Sequence, residues 1–198
     1  MSRDPAPFAL VPVRSTDHPW LAAADALYRD AFPPHERREG LAECLGAEGH
    51  ALEAISVDGA FAGLVVTWDL GRFTFLEHVA TEERLRGSGI GGAVISHVLA
   101  RSTLLVTEAE PAGAGPLAAR RLALYARLGL HESRIAYLQP SYGPGKPPVP
   151  MRLLSGPREL SEAEATAAAA RIEQEVYAVF RSTSAPGSGD GDRGRPNR

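Results

Sequence analysis

The chain has 198 residues, 44% of them hydrophobic and 23% charged, the balance of a soluble globular protein about one domain long with enough apolar residues for a core. A formal charge of −3 and a pI near 6.1 argue against a nucleic-acid binder, which needs clustered Lys and Arg, so small molecules or proteins are the expected partners. The single cysteine, Cys44, rules out an internal disulfide, and no apolar run reaches the roughly 20 residues of a membrane span or follows a basic start as a leader would, so a cytoplasmic protein without membrane contact is expected.

The run "FALVPVRS" reads as a short strand, and "HPWLAAADALYRDAF" then sets Trp20, Leu21, Ala24, Leu27, Tyr28 and Phe32 at helical spacing. A loop, "PPHERRE", leads to a second short helical stretch ending near Gly46, in which Cys44 reads as a small apolar filler. Two β runs, "ALEAISV" and "AFAGLVVTWDL", flank Asp58-Gly59, a pair that tolerates the positive φ of a tight hairpin. With "RFTFLEHVA" they make an antiparallel meander. In that third run the apolar pattern breaks at Glu77-His78, so at least one of the two side chains points into a partly buried space or a cleft. Glu77 is the expected one, and His78 is expected to face solvent.

From Gly89 the period changes, with Ile90, Ala93, Val94, His97 and Val98 at helical spacing before the strand "LLVTEAE". A β-loop-α-β unit of this kind implies parallel pairing. "PLAARRLALYARLG" is a further helix, opened by Pro116 and closed by Gly129, and "LHESRIAYLQ" and "VPMRLL" are final antiparallel strands separated by a Pro/Gly-rich loop. Residues 1–158 are expected to form the domain. Residues 159–182 carry Ser161 and Glu164 in capping-box spacing and Ile172, Val176 and Phe180 on one side, which predicts a helix that docks on it. Residues 183–198, rich in Gly, Ser, Pro and charge, read as a disordered tail.

The segment "RLRGSGIGG" contains G-x-G-x-x-G at Gly87, Gly89 and Gly92, with Glu108 following 21 positions after the first glycine, so a dinucleotide-binding oxidoreductase is one reading. Against it, the charged connector "TEERLR" separates the strand from the first glycine, and the chain lacks the repeated β-α alternation of a doubly wound sheet. A P-loop is excluded because no Gly-Lys-Ser/Thr follows. What remains is a phosphate cradle of converging backbone N–H groups at a helix start, with Arg86 at its rim.

The pattern Arg86-x-x-Gly89-x-Gly91 after a strand, with "LALYARLGL" downstream, resembles the GNAT superfamily of acyl-CoA-dependent N-acetyltransferases. The resemblance runs from about Phe8 to Leu154, and "AFPPHERRE" and "YLQPSYGPGKPPVPMRLL" look like a bacterial branch of undefined substrate. The chain departs from the commoner pattern at Ala118, where many relatives carry Asn, and at Gly129-Leu130 in place of Gly-Phe. The resemblance implies an α+β fold: a mixed, mostly antiparallel central sheet of six to seven strands, helices on both faces, and a V-shaped splay between the fourth and fifth strands. It implies acetyl-CoA as co-substrate, with no metal. The loop Arg86, Gly87, Ser88, Gly89, Ile90, Gly91 and Gly92 would wrap the pyrophosphate, and the pantetheine arm would run beside Val79, Ala80 and Thr81 as if it were an added strand.

Acyl transfer to an amine needs a neutral amine, a stabilised oxyanion and a protonated leaving thiolate. Glu77 matches where relatives often carry the base, and Glu108 and Glu110 come next, either taking the proton or binding the substrate ammonium. Tyr125 matches the family tyrosine that protonates the coenzyme A sulfur. Glu36 and Arg37 in the early loop, and Tyr137, Gln139 and Tyr142 in the late one, either line the acceptor pocket or are plain loop surface. The implied protein is a monomer or homodimer acting on a small-molecule or peptide amine. The rival class is a non-catalytic acyl-CoA sensor.

Overall fold

The computed structural model describes residues 6–178; the expected tail and Phe180 lie outside the described residues. Strand β1 (Phe8–Pro12) precedes helix α1 (Leu21–Ala31), and two single 3₁₀ turns follow at Pro34–Glu36 and Leu41–Cys44. Strands β2 (His50–Val57), β3 (Ala60–Asp69) and β4 (Thr74–Thr81) complete a meander with β1 in which every neighbouring pair is antiparallel. The β2–β3 turn is the two-residue Asp58-Gly59, both with positive φ (51° and 77°), the hand that matches strand twist.

Helix α2 (Ile90–Arg101) crosses over to β5 (Leu105–Ala109), which pairs parallel to β4, and α3 (Pro116–Arg127) follows. Proline at the first position of α3, where its missing N–H costs no helical bond, and Gly129 at φ 84° just past its end bound that helix as expected. Short strands β6 (His131–Glu132) and β7 (Tyr137–Gln139) both pair with β8 (Val149–Gly156), whose other edge pairs antiparallel with β5. The sheet order is β1-β2-β3-β4-β5-β8-β6, with β7 also on β8.

The sheet thus has eight strands rather than six to seven, because the run expected as one strand is interrupted. Ser133 still donates its N–H to the Leu153 carbonyl at 2.8 Å, but Tyr137 pairs with Met151. Four steps on one side cover two on the other, so two residues bulge out. Among the described residues only β4–β5 is parallel, which removes the doubly wound dinucleotide reading.

The two faces of the sheet carry separate cores. Leu76, Leu105 and Leu154 pack under α2 and α3 with Val94, Val98 and Tyr125. On the opposite face α1 covers Leu64 and Val66, and further along that face Trp68, Phe75 and Leu153 meet the last helix, α4 (Glu162–Ile172). Its cap is the expected one: Ser161 N–H donates to Glu164 Oε2 at 2.9 Å and Glu164 N–H to Ser161 Oγ at 3.3 Å. The helix buries Ala165, Ala168 and Ile172, then widens into a π turn at Glu173–Tyr177 that buries both Val176 and Tyr177.

Candidate functional site

Two local irregularities create the site. The first is a β-bulge in β4: Val66 pairs with His78 and Thr67 with Leu76, leaving Glu77 as an extra residue. Strict alternation would send Glu77 and His78 to opposite faces; the bulge sends both to the α1/α4 side. The second is the splay. The β4–β5 ladder holds only three residue pairs, the last being Leu76 with Thr107, where the Thr107 hydroxyl donates to the Leu76 carbonyl at 2.9 Å. Beyond it β4 runs on to Thr81 with its β5-facing edge unpaired, and a cavity of about 210 Å³ opens, lined by Glu77, Val79, Thr81, Gly91, Glu108 and Tyr125 among others.

The glycine loop lies at one end of this cavity. Gly87 and Gly89 hold φ of 79° and 88°, a backbone that residues with a Cβ rarely adopt. Within the described residues no hydrogen bond engages the N–H of Gly87, Gly89, Ile90, Gly91 or Gly92, so α2 begins with a row of free donors at its positive end. A Cβ on Gly91 would meet nothing within 4 Å, whereas one on Gly92 would meet Leu124. Arg86, Gly87, Ser88 and Gly89 are exposed, with the Ser88 hydroxyl turned back to the Leu85 carbonyl at 2.6 Å. The Ile90 side chain is core, leaving only its backbone for a ligand. The fit to a polyphosphate therefore rests on free amides and on the space above Gly91.

The two carboxylates of the cavity have opposite surroundings. Glu77 Oε1 accepts from Arg38 Nη2 and from the Tyr142 hydroxyl, both at 2.9 Å, and Oε2 accepts from the Trp68 indole at 2.6 Å. The Arg38 and Glu77 side chains are 5% and 1% exposed. Burial pushes the Glu77 pKa up, but Arg38, His78 and the two neutral donors outweigh it and hold the group below its usual range. Among the described residues no cation pairs with Glu108. Oε1 accepts from the Tyr137 hydroxyl, and Oε2 from Gln139 Nε2 at 2.8 Å and the Tyr177 hydroxyl at 2.9 Å. Burial exceeds those three bonds and lifts its pKa to about 7.

Tyr125 is buried beside Thr107, and burial raises its pKa. At the mouth Arg121 pairs with Glu110 at 3.2 Å, and Glu36 lies close enough to Glu110 to feel its charge, which together with burial raises the Glu36 pKa. Arg37 is occupied with loop carbonyls, Phe32 at 3.0 Å and Arg38 at 3.1 Å. The expectation of a solvent-facing His78 is corrected. Its ring is buried between Tyr28 and Tyr142, with Nε2 3.2 Å from both hydroxyls, and burial depresses its pKa to about 4. Tyr142 likewise is buried in the site rather than loop surface.

Arg38, Trp68 and Tyr177 were not foreseen. Arg38 sits inside the charged run "HERRE", a composition that reads as a solvated face. Trp68 lies at the end of an apolar strand. Tyr177 falls off the Ile172–Val176 stripe at regular helical spacing and lies on the π turn, which buries it beside Val176.

No family profile and no curated protein sequence matches the chain. Solved structures do. A protein from Bacteroides thetaiotaomicron assigned to the GNAT acetyltransferase family superposes with a TM-score of 0.78 at 27% identity, over 86% of this chain and 98% of that one. The chain belongs to the GNAT superfamily of acyl-CoA-dependent N-acetyltransferases. The GNAT fold extends to more distant structures. The ribosomal-protein-S18-alanine N-acetyltransferase of Escherichia coli matches with a TM-score of 0.55 at 20% identity, over 75% and 92% of the two chains. A Bacillus subtilis acetyltransferase in complex with CoA matches at 0.52 and 14%, over 75% and 97%. No helix among the described residues of this GNAT protein is long and apolar enough to cross a membrane.

The buried neutral His78 sets a pH dependence of stability. Unfolded, the ring takes a proton near pH 6.5; folded, it resists until about 4, so its contribution is full above 6.5 and lost as pH falls through that window. Glu108, raised to about 7, acts in the opposite sense, but it is common to any variant at position 78. His78→Gln should therefore be less stable than wild type at pH 7, and the gap should narrow by about 1–2 kcal/mol at pH 5, measured by denaturant unfolding of both proteins at the two pH values.

Proposed function

We propose that the chain moves an acetyl group from acetyl-CoA to a primary amine by direct attack in a ternary complex. The observation that carries this reading is that one cavity, opened by the β4–β5 splay, is lined by the unpaired edge of β4, Gly91 at the start of α2, a buried tyrosine and a buried carboxyl group near neutrality. The free amides and dipole of α2 suit the donor's pyrophosphate, with Arg86 adding charge at the rim. The β4 edge at Val79–Thr81 suits the amide groups of the pantetheine arm, and its N–H groups suit the thioester oxygen as charge develops there. The named activity of the Escherichia coli neighbour and the CoA in the Bacillus subtilis one are compatible with this assignment, and the acceptor class is a small-molecule or peptide amine.

Of the three candidate bases we assign the role to Glu108. Glu77 accepts a bond from the Arg38 cation, which makes that carboxylate a weak proton acceptor. Glu110 is paired with Arg121. Glu108 faces only neutral donors and titrates near the working pH, where a general base is most effective. The amine nitrogen attacks the thioester carbon as its proton passes to Glu108, the C–S bond breaks, and the thiolate takes the proton of the Tyr125 hydroxyl. A thiol pKa near 8.5 makes that thiolate a modest base for which a nearby donor suffices. Solvent then restores both groups.

Three variants test the parts separately. Gly91→Leu adds a side chain where the folded protein has room, so the melting temperature should hold while acetyl-CoA binding, read by calorimetry, weakens by at least about tenfold because the added atoms fill the cradle; an unchanged Kd overturns the donor site. Tyr125→Phe should lower kcat by roughly 10²-fold with little change in KM for acetyl-CoA, measured as thiol release over a panel of amines, and wild-type turnover would reassign that proton to water. Glu108→Gln should remove the acidic limb of the kcat/KM profile and depress the rate by a similar roughly 10²-fold. A profile that keeps its limb returns the role to another group.

A further inference from the structure

The segment after Glu162 lies outside the stretch that carries the family pattern, yet its last turn reaches both buried carboxylates. The Val176 carbonyl accepts from Arg38 Nη2 at 3.1 Å, the same nitrogen that binds Glu77. The next residue, Tyr177, is 1% exposed and donates its hydroxyl to Glu108 Oε2 at 2.9 Å. That hydroxyl also stands 3.4 Å from the Tyr142 oxygen, which bonds Glu77. These contacts fall on the π turn, which buries Val176 and Tyr177 together. The helix that carries the turn is locked by Ala165, Ala168 and Ile172 in the sheet core.

We infer that Tyr177 is a positioning residue for Glu108, so that the C-terminal helix is part of the active site rather than an appendage to it. The inference rests on the assignment of Glu108 as the base. One donor to Oε2 comes from β7, through Gln139, and the other from this turn. Together with Tyr137 on Oε1 they fix the carboxylate plane from two independent elements. The same bond sets how readily the carboxyl group ionises, because a hydroxyl donated to a carboxylate favours the charged form. The other charged or titratable groups around Glu108 are Glu77 on β4, Tyr137 on β7, Tyr142 in the late loop, Arg38 in the early loop, Tyr125 and Arg121 on α3, and Glu173 on the turn itself, near Tyr137. Of these, Tyr142 stands within hydrogen-bond distance of the Tyr177 hydroxyl, at 3.4 Å, and its own bond to Glu77 is unchanged in chemistry by the substitution.

The experiment is Tyr177→Phe in the full chain, with the Glu108 carboxyl titrated by carbon-13 NMR, its signal assigned by loss in Glu108→Gln. The Glu108 pKa should rise by roughly one unit, the scale of one hydrogen bond to a charged acceptor, and the acidic limb of kcat/KM should move up with it while KM for acetyl-CoA stays put. Tyr177→4-aminophenylalanine, which keeps the ring and a donor, should restore both values. An unmoved Glu108 titration in folded Tyr177→Phe, or no restoration by the amino analogue, overturns the inference. A shifted titration with an unmoved kinetic limb overturns instead the assignment of Glu108 as base and leaves Tyr177's hold on it standing.

Discussion

The buried ion pair between Arg38 and Glu77 is the constraint around which the α1/α4 side of the cavity is arranged. The guanidinium lies 5.6 Å from the Trp68 ring centre and 5.1 Å from that of Tyr142, and bonds the carboxylate of the β4 bulge and the carbonyl of Val176. One cation thereby joins the early loop, the meander, the late loop and the C-terminal turn. Two charges out of water gain little over a well-packed apolar pair, but removing one partner strands the other at a cost of about 3–5 kcal/mol. The pair therefore works less as a store of stability than as a specification: an arrangement that separates the four segments leaves a buried charge alone. Lys146 repeats the tie at the surface, donating to the Arg37 carbonyl at 2.8 Å from across the late loop.

Two glutamates in one cavity show how environment divides identical side chains between roles. Glu77, ringed by a cation, an indole and a phenol, is kept ionised. Glu108, held only by neutral donors in a dry setting, is kept near the balance point between its two forms. The negative charge of Glu77 contributes to that balance by making a second charge nearby less favourable. The two sites are thus electrostatically linked, and a chain of contacts through Tyr142 and Tyr177 joins them.

The features legible in the sequence are those written by residues within a few positions of one another. Asp58-Gly59 marked the hairpin, Gly89 the start of α2, Pro116 and Gly129 the ends of α3, and Ser161 with Glu164 the cap of α4, because in each the local backbone demands that residue type. The break in alternation at Glu77-His78 pointed to the right place but not to its resolution. A bulge without glycine or proline has no residue signature, and with it both side chains turn inward. Arg38 and Tyr177 were hidden for different reasons: a cation in a charged run looks solvated until a distant carboxylate is known to face it, and a π turn breaks the period on which helical reading depends.

The order of strands carries a consequence for how the chain is made. Strands β1 to β4 lie side by side in the order of synthesis, so the meander closes as it leaves the ribosome. Strand β5 does not. Its second neighbour is β8, which ends at Gly156, some 50 residues later, and at about 5–20 residues per second that is a wait of several seconds. During that interval the β8-facing edge of β5 lacks its partner, and an open strand edge is a template for pairing with other chains. The half-made protein is accordingly most open to such pairing just before β8 arrives.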